Sequence, residues 1–143
     1  MSTDRIKIED KTIQALFEAA AEVRAQAHAP YSGYRVGAAI LDDRGDTWLG
    51  CNVENASYPE GSCAETAAIA AMIAGGGRRI QHVVIAGGHG GIEPCSPCGG
   101  CRQRISEFAD SDTRVWLVAA NGTLAPHSVA DLLPASFSLI DKR

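Results

Sequence analysis

Three cysteines stand where helical periodicity begins. Cys63-Ala64-Glu65 opens an alanine-rich stretch to about Ala74, closed by Gly75-Gly76-Gly77, and Pro97-Cys98-Gly99-Gly100-Cys101 opens another to about Ala109. A thiol in the first turn of a helix meets free backbone N–H groups and the positive end of the helix dipole. Both favour thiolate, the form that binds metal. Cys98 and Cys101 are three residues apart, so they share one side of a turn and can chelate one ion. Cys63 can supply a third ligand from the neighbouring helix.

The remaining apolar runs alternate between the two periods. From Lys11 to Ala29, residues Ile13, Leu16, Phe17, Ala20, Val23 and Ala27 recur at helical steps, and Pro30 ends the pattern. Arg35 to Leu41 and Thr47 to Cys51 read as strands of a hairpin around Asp42-Asp43-Arg44-Gly45-Asp46. Ile80 to Ala86 is apolar almost throughout, as in a strand buried on both faces. Val115 to Ala119 reads as a fourth strand and Thr123 to Ala125 as a fifth, with Ser128 capping a short helix that ends at Leu133-Pro134. Strands alternating with helices predict an α/β fold with helices on the faces of one sheet. No repeat or linker divides the 143 residues, so a single domain is expected.

Charge narrows the partners. The chain carries 17 acidic against 13 basic residues, and the basic ones are dispersed. Nucleic acid and anionic membranes call for clustered Lys and Arg, so neither is expected as a partner. No apolar run is long enough to span a bilayer. Met1–Arg5 shows no export signal, and three of the five cysteines crowd between Cys95 and Cys101. That clustering reads as metal or redox chemistry rather than disulfide stapling, and predicts a cytoplasmic protein.

Three protein ligands leave a tetrahedral zinc one position short, the mark of a catalytic site that keeps a water. Zinc lowers the pKa of that water to roughly 7. Glu65, two residues beyond Cys63, need not be a ligand and is free to manage protons. A lone C-x-x-C would be weak, and a lone Cys-Ala-Glu weaker. Both together, in this order and each heading a helix, are specific.

The order Cys-x-Glu followed by Pro-Cys-x-x-Cys is the signature of zinc-dependent base deaminases. The chain resembles the small cytidine deaminases over nearly its whole length. Ala29-Pro30-Tyr31-Ser32, Val36-Gly37-Ala38-Ala39, Gly50 through Tyr58, Cys101-Arg102-Gln103 and Leu132 through Phe137 all carry the likeness. The resemblance implies a three-layer α/β/α sandwich around a mixed sheet of about five strands. It implies one Zn²⁺ per subunit held by Cys63, Cys98 and Cys101, with Glu65 as proton shuttle in the hydrolytic deamination of free cytidine or deoxycytidine. Asn52 and Glu54 resemble the pair that hydrogen-bonds the ribose. Tyr34 and Val36 resemble the residues against the pyrimidine, and the Ala64 backbone the contact to its carbonyl. Phe137 resembles an aromatic that reaches onto the base across a subunit interface, which implies a homotetramer whose site is completed by a neighbouring subunit.

Two departures stand out. Thr66 follows Glu65 where three-cysteine relatives commonly carry Arg, and Tyr34 stands where they place Phe. Three thiolates exceed the charge of one Zn²⁺ by a unit, and the expectation is that the two helix N-termini compensate. Cys95 continues a C-x-x-C-x-x-C run, but Ile105 stands where an iron–sulfur run wants its fourth cysteine. Cys95 therefore reads as a loop thiol near the site, and Cys51 as a small buried strand residue. The four histidines fall in no ligand spacing, although His89 lies in the glycine-rich loop that leads to the site. The alternatives are a deaminase of a nucleoside analogue such as blasticidin S, a non-catalytic structural zinc module and a redox C-x-x-C protein.

Overall fold

The computed structural model describes residues 10–139, and Met1–Arg5, read above for an export signal, lie outside them. The described chain runs α1 (Lys11–Arg24), β1 (Arg35–Asp42), β2 (Thr47–Cys51), α2 (Ala64–Ala74), β3 (Ile80–Gly88), α3 (Gly99–Glu107), β4 (Arg114–Val118), β5 (Leu124–Ser128) and α4 (Val129–Leu132). The strands form one mixed sheet in the order β2-β1-β3-β4-β5. The β1–β2, β1–β3 and β4–β5 pairs are antiparallel, and β3–β4 is the parallel pair, with α3 as its crossover.

Alternation along the central strands sorts the core into two faces. Ala39 of β1 and Val84 and Ala86 of β3 pack with Ile13, Leu16, Phe17 and Ala20 of α1. Ala38 and Ile40, with Val83 and Ile85, face the other way, onto Ala64, Ala68 and Met72 of α2 and Ile105 of α3. Helix–sheet–helix layering follows, as the α/β/α reading requires. Two glycines let the helices approach closely. A Cβ at Gly37 would lie 2.0 Å from the Ala20 carbonyl oxygen of α1, and one at Gly50 would lie 2.4 Å from the Ala68 nitrogen of α2.

Element ends differ from the sequence expectation in two informative places. Helix α1 stops at Arg24, not near Ala29, because His28 leaves the helix to bridge with Val53. The His28 amide donates to the Asn52 carbonyl and the Glu54 amide to the His28 carbonyl. Strand β5 runs through Pro126 to Ser128 rather than ending at Ala125. It is an edge strand, where a proline's missing N–H leaves no ladder partner unsatisfied.

Candidate metal centre and its cavity

Two loop-to-helix junctions on the same sheet face build the centre. Beyond β2 the loop is pinched shut by reciprocal backbone hydrogen bonds between Val53 and Ser62, at 3.0 and 2.9 Å, which deliver Cys63 as the N-cap of α2. Beyond β3, Arg102 ties the approach to α3. Its guanidinium donates to the Pro97 carbonyl at 2.9 Å, the Ser96 hydroxyl at 2.7 Å and the Leu132 carbonyl at 2.9 Å. Cys98 is the N-cap of α3, and neither capping thiol is spent on a capping hydrogen bond. The sulfurs of Cys63, Cys98 and Cys101 all lie within 4.8 Å of one another.

That donor set fits zinc. Bonds of about 2.3 Å in a tetrahedral site set sulfurs about 3.8 Å apart, a separation this range includes, and thiolate is a preferred zinc ligand. Cys63 and Cys101 already compete for protons. A hydrogen bond from Cys101 draws Cys63 down to about 6, against the opposing effects of burial and Glu65. The same contact, with burial, pushes Cys101 upward. Cys101 is fully buried, Cys63 half-buried and Cys98 exposed.

Glu65 sits in the first turn of α2, 4% exposed. Burial raises its pKa, while its own backbone N–H, the Cys101 side chain and the Arg104 charge pull the other way. A buried carboxyl with a raised pKa is suited to taking and returning protons near neutral pH. Glu65, Cys63, Cys98 and Ala64 line a cavity of about 730 Å³, together with Tyr34, Val36, Asn52 and Glu54. The size suits a small molecule held by apolar walls and a few convergent polar groups.

The polar pair at the cavity mouth is already engaged. The Asn52 side chain accepts from the Val36 amide at 2.8 Å and donates to the Tyr34 carbonyl at 2.9 Å, so it splices β1 to the chain leaving β2. Each end of that amide keeps one further hydrogen-bonding valence. Glu54 accepts from the Tyr31 amide at 3.0 Å, the Ser32 amide at 3.1 Å and the Ser32 hydroxyl. These bonds, the Ser32 hydroxyl first, hold its carboxyl below the usual range, so it stays ionised.

Tyr34 lines the wall with its hydroxyl hydrogen-bonded to Cys95, and its ring meets His89 edge-on with centroids 4.9 Å apart. Burial, then that bond, pushes the phenol's pKa up, so it stays protonated. Cys95 lines the cavity but lies outside the three-sulfur group, as expected of a loop thiol. Phe137 lies apart from this chain's cavity, 68% exposed, its carbonyl accepting from Gln103 of α3.

Three features escaped the sequence reading. Tyr31 and Ser32 hold Glu54, pairings across 23 and 22 residues that no local pattern signals. Arg104 reaches Cys101, with Nη1 3.9 Å from Sγ, and its three-residue spacing along a helix was a usable signal. The Thr66 hydroxyl is buried without a hydrogen-bond partner among the described residues.

Comparison with known proteins agrees with this geometry. A family model described as the cytidine and deoxycytidylate deaminase zinc-binding region matches residues 10–118. A cytidine deaminase of Sporosarcina psychrophila is 37% identical over 129 residues, covering 90% of this chain and 93% of that protein. The crystal structure of cytidine deaminase from Mycobacterium tuberculosis superposes with a TM-score of 0.78 at 38% identity, covering 91% of this chain and all of that one. The structure from Burkholderia pseudomallei gives 0.77 at 40% identity, covering 86% of this chain and 97% of that one.

Proposed function

The chain belongs to the cytidine and deoxycytidylate deaminase family, and from that premise we propose that it is a zinc-dependent hydrolase converting free cytidine or deoxycytidine to the uracil nucleoside and ammonia. One observation carries the reading: three thiols within 4.8 Å of one another beside a buried carboxylate, at the edge of a nucleoside-sized cavity.

Cys63, Cys98 and Cys101 hold the ion. Zinc, when bound, supplies the Lewis acidity that makes a water nucleophilic at neutral pH. Glu65 takes the two protons of the attacking water in turn, giving the first to the ring nitrogen beside C4 and the second, from the hydroxyl then bonded to C4, to the departing amine as the C4–N bond breaks. Its burial excludes competing solvent from that exchange. Ala64 opens α2 and lines the cavity, and its backbone N–H is the donor for the pyrimidine carbonyl. Tyr34 and Val36 pack on the base. The spare valences of Asn52 and the ionised Glu54 take the ribose hydroxyls, and a 5′-phosphate gains no cation from this pair.

Phe137 does not reach this cavity from its own chain, and we assign it to the cavity of a neighbouring subunit in a homotetramer. Its exposed ring, with Tyr58 and Tyr31 also exposed, supports that placement. The chain acts as one catalytic domain. Its five unpaired thiols suit a reducing, cytoplasmic setting, and among the described residues no helix is long and apolar enough to cross a membrane.

Ammonia release from cytidine, deoxycytidine, deoxycytidine monophosphate and blasticidin S tests the reading, with and without a strong zinc chelator. Cytidine and deoxycytidine should react, and only without chelator. Turnover of blasticidin S alone, or of the monophosphate alone, overturns the assignment. Glu65→Gln should keep zinc while kcat falls by about 10²–10⁴. Full activity in that variant would remove Glu65 from the chemistry.

A further inference from the structure

We propose that Arg104 is a positioning residue of the metal centre, donating from its guanidinium to the Cys101 sulfur and offsetting the charge that three thiolates carry beyond one divalent ion. The proposal rests on the zinc reading above. Three thiolates and Zn²⁺ sum to one net negative charge, and a nearby permanent cation brings the group to neutrality. Arginine suits that task because its guanidinium is always charged and offers several donors in a fixed plane. A hydrogen bond between charged partners is also stronger than a neutral one.

Two separate features support the placement. Arg104 Nη1 lies 3.9 Å from Cys101 Sγ, and among the described carboxylates none forms an ion pair with it. The backbone also makes room for it. A Cβ at Gly100 would stand 3.0 Å from Arg104 Nη1 and 4.0 Å from Cys98 Sγ, so the bare Cα opens a notch beside the two α3 sulfurs. Arg104 is exposed, so solvent screens part of its effect.

The other helix supplies no such group. Thr66 stands three residues after Cys63, as Arg104 stands three after Cys101. It offers only a buried hydroxyl with no hydrogen-bond partner among the described residues. The helix N-termini alone were expected to balance the sulfurs, but the structure adds a full cation on α3. The symmetry of spacing gives a direct test, because an arginine at position 66 would relate to Cys63 as Arg104 relates to Cys101.

The experiment compares wild type, Arg104→Gln, Arg104→Lys, Gly100→Ala and the double variant Arg104→Gln/Thr66→Arg. Each is measured for zinc retention against a chromophoric chelator, for the sulfur-to-metal charge-transfer band of the cobalt-substituted protein, and for kcat and KM with cytidine. Loss of a sulfur-directed donor leaves the thiolates more electron-rich, so the band of Arg104→Gln should move to lower energy. Zinc retention or kcat should fall about 10–100-fold with KM little changed. Arg104→Lys keeps the charge without the fork, and Gly100→Ala displaces the guanidinium without discharging it, so both should fall between. Thr66→Arg should restore most of the loss.

An Arg104→Gln protein with an unmoved band and unchanged zinc retention and kcat overturns the proposal. So does a loss of activity with the band unmoved, since that would be a packing role. If Arg104→Gln fails to fold, Gly100→Ala and Arg104→Lys decide by the same band. Wild-type protein that binds neither zinc nor cobalt would instead defeat the zinc reading itself.

Discussion

Gly50→Ala adds one methyl group at a distance from every reacting atom, yet it should disable the enzyme. Gly50 lies in β2 opposite Ala38, directly beneath α2. The new Cβ would meet the Ala68 nitrogen at 2.4 Å, the Ala64 oxygen at 2.5 Å and the Ala67 Cβ at 2.9 Å. Two of these are helix backbone and cannot rotate away. Bringing the closest contact from 2.4 Å to the 3.4 Å of ordinary packing requires α2 to retreat by 3.4 − 2.4 = 1.0 Å. That helix carries Ala64 and Glu65 and is capped by Cys63, whereas Cys98 and Cys101 ride on α3. A displacement of about 1 Å in a reacting constellation can cost about 10²-fold in rate. Overpacking of this kind costs about 1–3 kcal/mol, or about 4–12 °C in Tm for a domain of this size. Gly90→Ala is the control, since nothing lies within 4 Å of its added Cβ. The assay is kcat with cytidine, zinc content and Tm for both variants. If Gly50→Ala matches Gly90→Ala in all three, the helix does not fix the ligand geometry through this contact.

Two further outcomes can be checked. Asp42 is fully buried; burial raises its carboxyl, but donation from Trp48 Nε1 at 2.8 Å, from the Asp46 and Arg44 amides, and the Arg44 charge outweigh it and hold the pKa low. A depressed carboxyl stabilises the fold above its unfolded pKa of about 3.9 and loses that contribution as pH falls through the folded value. Asp42→Asn, which turns an amide donor toward Trp48 N–H, should cost about 1.5–3 kcal/mol at pH 7 and flatten the acid limb of the stability curve below about pH 4. Equal Tm values for both proteins from neutral to acid pH would refute this. Glu54→Gln should lower kcat/KM about 10–100-fold for cytidine and deoxycytidine, the loss of a charged hydrogen bond. An equal loss on a 2′,3′-dideoxynucleoside would show that Glu54 does not act through the sugar.

The cysteine constellation and the hairpin were legible because their signals are local. A capping position, a three-residue helical step and a turn between two β-branched runs each lie within a few neighbours. Contacts set by tertiary pairing were not. The end of α1 depends on His28 finding Val53, and Glu54 depends on Tyr31 and Ser32 folding back over it. The fifth strand was expected to end at Ala125, yet it runs on through Pro126 because the outer edge of the sheet asks no hydrogen bond of that residue's nitrogen. Arg104 lies between these cases. Its spacing from Cys101 was visible, but its direction depends on Gly100 leaving space, which only coordinates reveal. Phe137 is exposed and lies outside its own chain's cavity, and a single chain's sequence carries no local mark of a subunit interface.

The sulfurs come from two stretches of chain lying on either side of β3. An ion seated between them is therefore also a removable rivet, joining segments that the backbone connects only through that strand. Any ligand that binds the folded form alone adds stability in proportion to the logarithm of its free concentration. Heat resistance of this enzyme thus becomes a gauge of available zinc, and a cell starved of the metal would hold a less stable protein as well as an idle one.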